Sequence, residues 1–416
     1  MAMTRVKLAV DGGMPVRSAS WPAWPVWDER EERALLEVLR SGRWGMSSGS
    51  KVQQFEEAWA RYHQALHCLC VVNGTSALEV ALRALGVGLG DEVILPPYTF
   101  VATPSAALLV GAVPIFADID PETYELDPAA VEAAVTPRTK AIIPVHIGGC
   151  PPDMDGVLAV AKKHGLRVLE DAAQAHGAEW RGRRVGAIGD VGTFSFQASK
   201  NLNSGEGGAV VTNDEDLYQR LWSLHNVGRI QSPDWRTRGW YQHEILGFNY
   251  RMTEFQAALL LAQLTRLEAQ SARREAGAAY LDRELAQIPG IRPQRRDPRV
   301  TAHAHHIYIF RYDPAHFGGR PRESFLAALR AEGVPCSGGY VPLTDAPAIK
   351  TEVAKLCQRL GRTDDPLDRP LPVAHRAGYD EGVWMSQNLL LADHSALAAV
   401  PEAIRKIQEA WAGQVA

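Results

Sequence analysis

Between Cys68 and Gly192 the chain repeats one pattern, in which a short run of apolar, β-forming residues is followed by a segment whose apolar positions recur every three to four residues. The runs are Leu69–Val72, Asp91–Leu95, Val113–Ala117, Lys140–Val145 and Arg167–Glu170, and helical segments follow Asn73, Tyr98 and Asp127 and fill Met154–His164. Strands that are apolar throughout and separated by helices predict an α/β fold with a mostly parallel, doubly wound sheet. Ahead of this region Asp28 stands where a helix cap belongs, before a segment reaching about Arg40 with Ala34, Leu35, Val38 and Leu39 on one face. A second helix is expected near Val52–His63. Downstream, Met252-Thr253-Glu254 opens a long helix through Leu267 and on toward Leu285. After Gly290 the pattern changes. Ile307–Tyr312 and Pro335–Tyr340 read as strands, Arg322–Glu332 as a helix, and a terminal helix follows Asp393, which together make a smaller α+β unit. The expected organisation is an N-terminal arm over 1–27, a large domain over 28–265 and a small domain over 266–416. The arm carries Trp21-Pro-Ala-Trp-Pro-Val-Trp27, which suits packing across a neighbouring lobe or subunit better than regular structure.

Composition narrows the functional classes. A net charge of -4 gives no electrostatic reason to expect nucleic acid or an anionic membrane as partner. The most apolar stretch, Phe100–Phe116, is broken by Pro104, Gly111 and Pro114 and does not read as a membrane span. The cysteines Cys68, Cys70, Cys150, Cys336 and Cys357 are scattered and odd in number, which favours free thiols in a reducing cytoplasm over disulfides. His303-Ala-His305-His306 resembles a metal tract but opens a strand with no acidic or cysteine partner nearby, so no metal is expected.

The candidate chemistry lies at strand exits. Thr193–Thr212 reads as a buried strand, a polar bend carrying Lys200, a Gly205-Glu-Gly-Gly208 turn and a second strand. A lysine there is either an exposed turn residue or an amine whose pKa is lowered for attack on an aldehyde such as pyridoxal 5'-phosphate. Asp171 ends the strand Arg167–Glu170, and ligands of open α/β sheets sit beyond the carboxyl ends of strands. A carboxylate at that place can pair with a pyridinium nitrogen. Asn73-Gly74-Thr75-Ser76 starts a helix and is either a plain cap or a phosphate cradle. Trp44, in a glycine-rich loop, is either a lid or packing. His225-Asn226-Val227-Gly228-Arg229 with Arg236, Arg238 and Trp240 is either a solvated loop or an anion site.

The motifs Asn73–Ala77, Pro97-Tyr98-Thr99-Phe100, Pro144-Val145-His146, Glu170–Gly177, Ser195-Phe196 with Lys200, Gly205–Gly208 and Gly247–Met252 together resemble those of the DegT-type aminotransferases, from about Leu8 to the terminal helix. The resemblance implies a fold-type I enzyme that aminates keto-sugars or keto-cyclitols. It implies pyridoxal 5'-phosphate held as a Schiff base by Lys200, with Asp171 on the ring nitrogen, Gln174 on the ring 3'-oxygen and Tyr98 stacked on the ring. It further implies that Gly74, Thr75, Ser76 and Ser195 take the phosphate, together with the partner subunit's Asn249, so that a homodimer shares its active sites. Related dehydratases replace the lysine with histidine, and a non-catalytic sensor would be expected to lose Lys200 or Asp171; both are present. Many members that act on nucleotide-linked sugars carry histidine after Tyr-x-Pro-Leu, where this chain has Thr344 after Tyr340-Val341-Pro342-Leu343. The segments around His225 and Trp384 are more similar to the cyclitol and aminohydroxybenzoate branch. The implied acceptor is scyllo-inosose or 2-deoxy-scyllo-inosose with L-glutamine as donor, and Trp44, His225, Arg229 and Tyr340 are candidate substrate contacts.

Overall fold

The computed structural model describes residues 7–230 and 242–412. Its large sheet is built from β1 (His67–Val71), β2 (Glu92–Leu95), β3 (Val113–Phe116), β4 (Thr139–Ile142) and β5 (Arg167–Asp171). Past the short pair β6 (Glu179–Trp180) and β7 (Arg183–Arg184), β8 (Val191–Ser195) and β9 (Gly208–Thr212) complete it. The spatial order is β1-β9-β8-β5-β4-β2-β3, and β9 alone runs against its neighbours. Both faces are buried, which is why these strands are apolar without alternation. On β1, Leu69 and Val71 point into one apolar layer while Cys68 and Cys70 point into the other. All five cysteines are free.

The helices α1 (Glu29–Ser41), α2 (Lys51–Tyr62), α3 (Gly74–Ala84), α4 (Ala102–Leu109), α5 (Pro128–Ala134), α6 (Met154–His164) and α7 (Glu215–His225) belong to this part of the chain. Asp28 caps α1 in a full capping box with Glu31, worth about 1 kcal/mol. The long helix α8 (Glu254–Leu285) is capped in the same way by Thr253 and Gln256 and spans 32 residues. It is fastened to α1 by a buried ion pair between Arg266 and Glu31.

Beyond α8 stand β10 (Ile291–Pro293), β11 (Val300–Ala302), β12 (Ile307–Tyr312), α9 (Arg322–Ala331), α10 (Pro347–Leu360), α11 (Pro372–His375), β13 (Gly382–Ser386), α12 (His394–Leu397) and α13 (Ala399–Ala412). The second sheet has the order β10-β12-β13. The strand expected at Pro335–Tyr340 is not formed; that segment makes a single bridge, Ser337 with Trp384, and β13 takes the place beside β12 instead. Pro335 offers no N–H, and Gly339 has a φ of 75°, so the segment cannot run on as a ladder.

The N-terminal arm packs on its own chain. The buried Glu332 carboxylate accepts the Ala9 N–H at 2.8 Å, the Val16 N–H at 3.0 Å and the Lys406 ammonium at 2.7 Å. Farther along, the Trp24 indole N–H donates to the Ala198 carbonyl at 3.0 Å, so the arm joins the C-terminal unit to the loop carrying Lys200. Among the described residues no helix is long and apolar enough to cross a membrane.

Candidate active site

The carboxyl ends of β5 and β8, the start of α3 and the first residues of β12 meet around a cavity of about 620 Å³. Gly74, Thr75, Asp171, Gln174, Ser195, Lys200 and Tyr340 all line it. These predicted residues come from segments far apart in sequence, and the sheet brings them together.

Lys200 sits on the loop between β8 and β9. The loop is closed by hydrogen bonds from Phe196 N–H to the Gly207 carbonyl and from Ala198 N–H to the Gly205 carbonyl, at 2.8 and 2.9 Å. The surrounding protein desolvates the ammonium and pulls its pKa down to about 8, while the Asp171 carboxylate acts in the opposite direction. Asp171 is buried at the end of β5. Burial raises its pKa, and hydrogen bonds from the Thr103 hydroxyl to Oδ2 at 2.8 Å and from the Ala173 N–H to Oδ1 at 3.2 Å oppose the rise. Thr103 is itself within 3.0 Å of the Thr99 hydroxyl.

Beneath Asp171 lies Glu170, also buried. Burial alone would raise its carboxyl, but the His146 hydrogen bond and the N–H groups of Gly186 and Gly189 outweigh it and hold the group below its ordinary value. Gln174 is fixed at both ends: its Oε1 accepts the Gly148 N–H at 2.7 Å, and its Nε2 donates to the Tyr340 hydroxyl at 3.2 Å. Burial pushes the Tyr340 phenol up to about 12, so it stays protonated.

The start of α3 forms the anion-binding end of the cavity. Asn73 caps the helix by accepting the Ser76 N–H at 2.8 Å, which leaves the Gly74 and Thr75 N–H groups in the first turn without an intrahelical acceptor. Two glycines permit this arrangement. A Cβ on Gly74 would lie 2.8 Å from the Ser195 Cβ, and one on Gly208 would lie 2.4 Å from the Asn73 carbonyl oxygen.

Other predicted residues fall elsewhere. Ser76 is buried in α3 and does not line the cavity. Tyr98 is also buried, its ring 5.7 Å from Trp384 and 5.8 Å from Tyr124, so it packs the core instead of facing the cavity. Phe100, two residues on and 54% exposed, presents its ring there in its place. Trp44 is 51% exposed and outside the cavity, its indole N–H donating to the Leu39 carbonyl. His225 is fully buried, its Nδ1 2.6 Å from the Trp222 carbonyl, and burial pulls its pKa down to about 4. Arg229 donates to Asn226 Oδ1 at 3.3 Å, and Asn249 is exposed and bridged to Asn226; neither lines this cavity. Thr344 is buried outside the cavity as well. Arg236, Arg238 and Trp240 lie outside the described residues. Sequence reasoning did not place Thr99, Gln197, Ser386 or His306 in the site, although all four line the cavity.

A mostly parallel sheet with a buried carboxylate at one strand exit and a desolvated lysine after the next is the arrangement of the fold-type I aminotransferases. The chain belongs to the DegT/DnrJ/EryC1/StrS aminotransferase family, whose sequence profile matches residues 25–380. It is 41% identical over 416 residues, 97% of each chain, to the L-glutamine:2-deoxy-scyllo-inosose aminotransferase of Streptoalloteichus tenebrarius. It is 41% identical over 411 residues, again 97% of each, to a Streptomyces kanamyceticus protein provisionally named as an L-glutamine:3-amino-2,3-dideoxy-scyllo-inosose aminotransferase. The crystal structure of 3-amino-5-hydroxybenzoic acid synthase superposes with a TM-score of 0.86 at 38% identity, covering 95% of this chain and 100% of that one.

The residues present fit the cofactor that this family implies. A lysine of lowered pKa, a buried carboxylate, an aromatic face at Phe100 and an N-terminal cradle kept open by Gly74 and Gly208 are the donor set that pyridoxal 5'-phosphate requires.

Proposed function

We propose that the protein transfers the amino group of L-glutamine to the ketone of a cyclitol, scyllo-inosose or 2-deoxy-scyllo-inosose, working as a cytoplasmic homodimer with shared active sites. The observation that carries the acceptor class is the charge of the cavity. Among the described residues Lys200 is the one cation that lines it, and the rest of the polar lining is amide, hydroxyl, imidazole and carboxylate. A nucleotide diphosphate calls for several fixed cations, whereas a small neutral polyol calls for hydrogen-bond donors and acceptors in a closed space. The names of relatives identical at 41% over 97% of the chain support the same class.

Pyridoxal 5'-phosphate, when bound, supplies the electron sink that lets a proton leave the carbon bearing the amine. The first turn of α3 and Ser195 would hold its phosphate, Asp171 would face its ring nitrogen, and Gln174 its 3'-oxygen. Lys200 then serves twice. Its Nζ would hold the cofactor through its aldehyde carbon, and as a free amine it would take a proton from the donor carbon and later return one, as base and acid in turn. A pKa of about 8 suits both tasks near neutral pH. Thr103 and Ala173 favour the charged form of Asp171 against the burial that raises its pKa, and that charge would stabilise positive charge at the ring nitrogen.

The test is turnover with L-glutamine of 2-deoxy-scyllo-inosose against a nucleotide-linked 4-keto-sugar. Preference for the cyclitol in kcat/KM is expected. A preference of about 100-fold for the nucleotide sugar, near 2.7 kcal/mol, overturns the reading.

A further inference from the structure

His306, at the foot of β12, lines the same cavity as Lys200. Its ring is fixed from behind. Nδ1 lies 3.2 Å from Asn201 Oδ1, and the Asn201 amide is oriented by donating Nδ2 to the Ala304 carbonyl at 2.6 Å. An amide oxygen only accepts, so the proton is on Nδ1 and the lone pair on Nε2. The backbone is held too, since the His306 carbonyl accepts the Gln387 N–H at 3.2 Å and Gln387 Oε1 in turn takes both Nε and Nη2 of the buried Arg274. Burial, with Lys200, His176 and Arg274 nearby, pushes the imidazole pKa well below its ordinary value, so the ring is neutral.

The amide and carboxylate acceptors that line the cavity, apart from exposed Glu206, already receive donors from the protein. Asp171 serves Thr103 and Ala173, Gln174 serves Gly148, Gln197 serves Ser199, and Asn73 serves Ser76; Glu206 is exposed. Among the described residues His306 Nε2 makes no hydrogen bond. A hydroxyl-rich ring ketone brings donors on either side of its carbonyl, and each costs free energy if buried without an acceptor.

We propose that His306 Nε2 accepts a ring hydroxyl of the polyhydroxylated ketone, which makes His306 a specificity-determining residue of the acceptor half-reaction. This rests on the cyclitol reading above. The test uses the holoenzyme and its His306→Phe variant, with scyllo-inositol as a non-reactive polyol probe. Loss of the hydrogen bond is expected to weaken scyllo-inositol binding and raise KM for 2-deoxy-scyllo-inosose about 10-fold. The half-reaction with L-glutamine, and turnover of cyclohexanone as a ring ketone without hydroxyls, are expected to stay within about 2-fold. Equal losses with cyclohexanone or in the glutamine half-reaction overturn the assignment. If His306→Phe does not load cofactor, His306→Asn, too short to reach the same place, is held to the same outcomes. Failure of the cyclitol reading is seen in the unmodified enzyme, which would neither bind scyllo-inositol nor turn over the cyclitol ketone; that result overturns both.

Discussion

The Thr103 hydroxyl donates to Asp171 Oδ2 at 2.8 Å, joining the first turns of α4 to the end of β5. It opposes burial, which pushes the Asp171 carboxyl toward its protonated form. Thr103→Val therefore raises the Asp171 pKa further and moves the acid limb of the glutamine half-reaction to higher pH. A loss that deepens as pH falls and is recovered as pH rises is expected. Asp171→Asn removes the charge altogether and costs about 100-fold or more at every pH. Single-turnover absorbance measures both, and a pH profile of Thr103→Val identical to that of the unmodified protein removes Thr103 from this role.

Lys200 gives the second pH prediction. Only its neutral amine captures an aldehyde, and burial has brought its pKa from 10.5 to about 8. Capture of pyridoxal 5'-phosphate by cofactor-free protein should accelerate through pH 8 and then level off, instead of climbing toward 10.5. Lys200→Ala should leave no visible absorption band from a lysine-bound cofactor while the far-ultraviolet spectrum is retained. A band of undiminished intensity in that variant refutes the assignment.

Phe100 and Tyr98 should separate affinity from stability. Phe100→Ala is expected to weaken cofactor binding about 10-fold with little change in melting temperature, because it strips one face of the cavity. Tyr98→Ala opens a hole in the core and should cost about 3–5 kcal/mol of stability. Calorimetric melting and cofactor titration on the two variants check the distinction.

The cradle at α3 can be probed by steric block. In Gly208→Ala the new methyl meets the Asn73 backbone, and in Gly74→Ala it meets the Ser195 side chain. Both variants should lose affinity for pyridoxal 5'-phosphate far more than for pyridoxal, which has no phosphate to place. Parallel titrations with the two aldehydes give the answer, equal losses being the unfavourable one.

Asn249 is exposed and lies outside the cavity of its own chain. If it completes the site of a second copy, Lys200→Ala and Asn249→Ala subunits, each impaired alone, should recover activity when mixed, through hybrid dimers with one intact site. No recovery on mixing, or full activity from a monomer in sedimentation, counts against shared sites.

The large sheet was readable in the sequence because its strands are buried on both faces and their apolar runs are continuous. Asp171 and Lys200 followed from it, Asp171 one position beyond the run Arg167–Glu170 and Lys200 in the bend five positions beyond β8. The C-terminal unit was less readable. Segment 335–340 and β13 are both short, and the choice of which one pairs with β12 depends on Pro335 and the backbone at Gly339. Helix α10 begins with a proline and follows a turn, and its pattern was not recognised. His306 was hidden within a tract of three histidines. Which of them faces the cavity is decided by Asn201, about a hundred positions earlier in the chain. Tyr98 and Phe100 share one motif, and only the packing of Trp384 and Tyr124 against Tyr98 decides which ring is left for the ligand.

The carboxylate of Glu332 binds Ala9 and Val16 at one end of the chain and Lys406 at the other. During synthesis residues 9–16 are made well before Glu332 and Lys406. Trp24 can meet Ala198 once the large sheet exists, but the knot around Glu332 cannot close until Lys406 has emerged. The arm is therefore secured in two stages, the stretch at Trp24 by the large sheet and the stretch from Ala9 to Val16 only when its partners around Glu332 have been made.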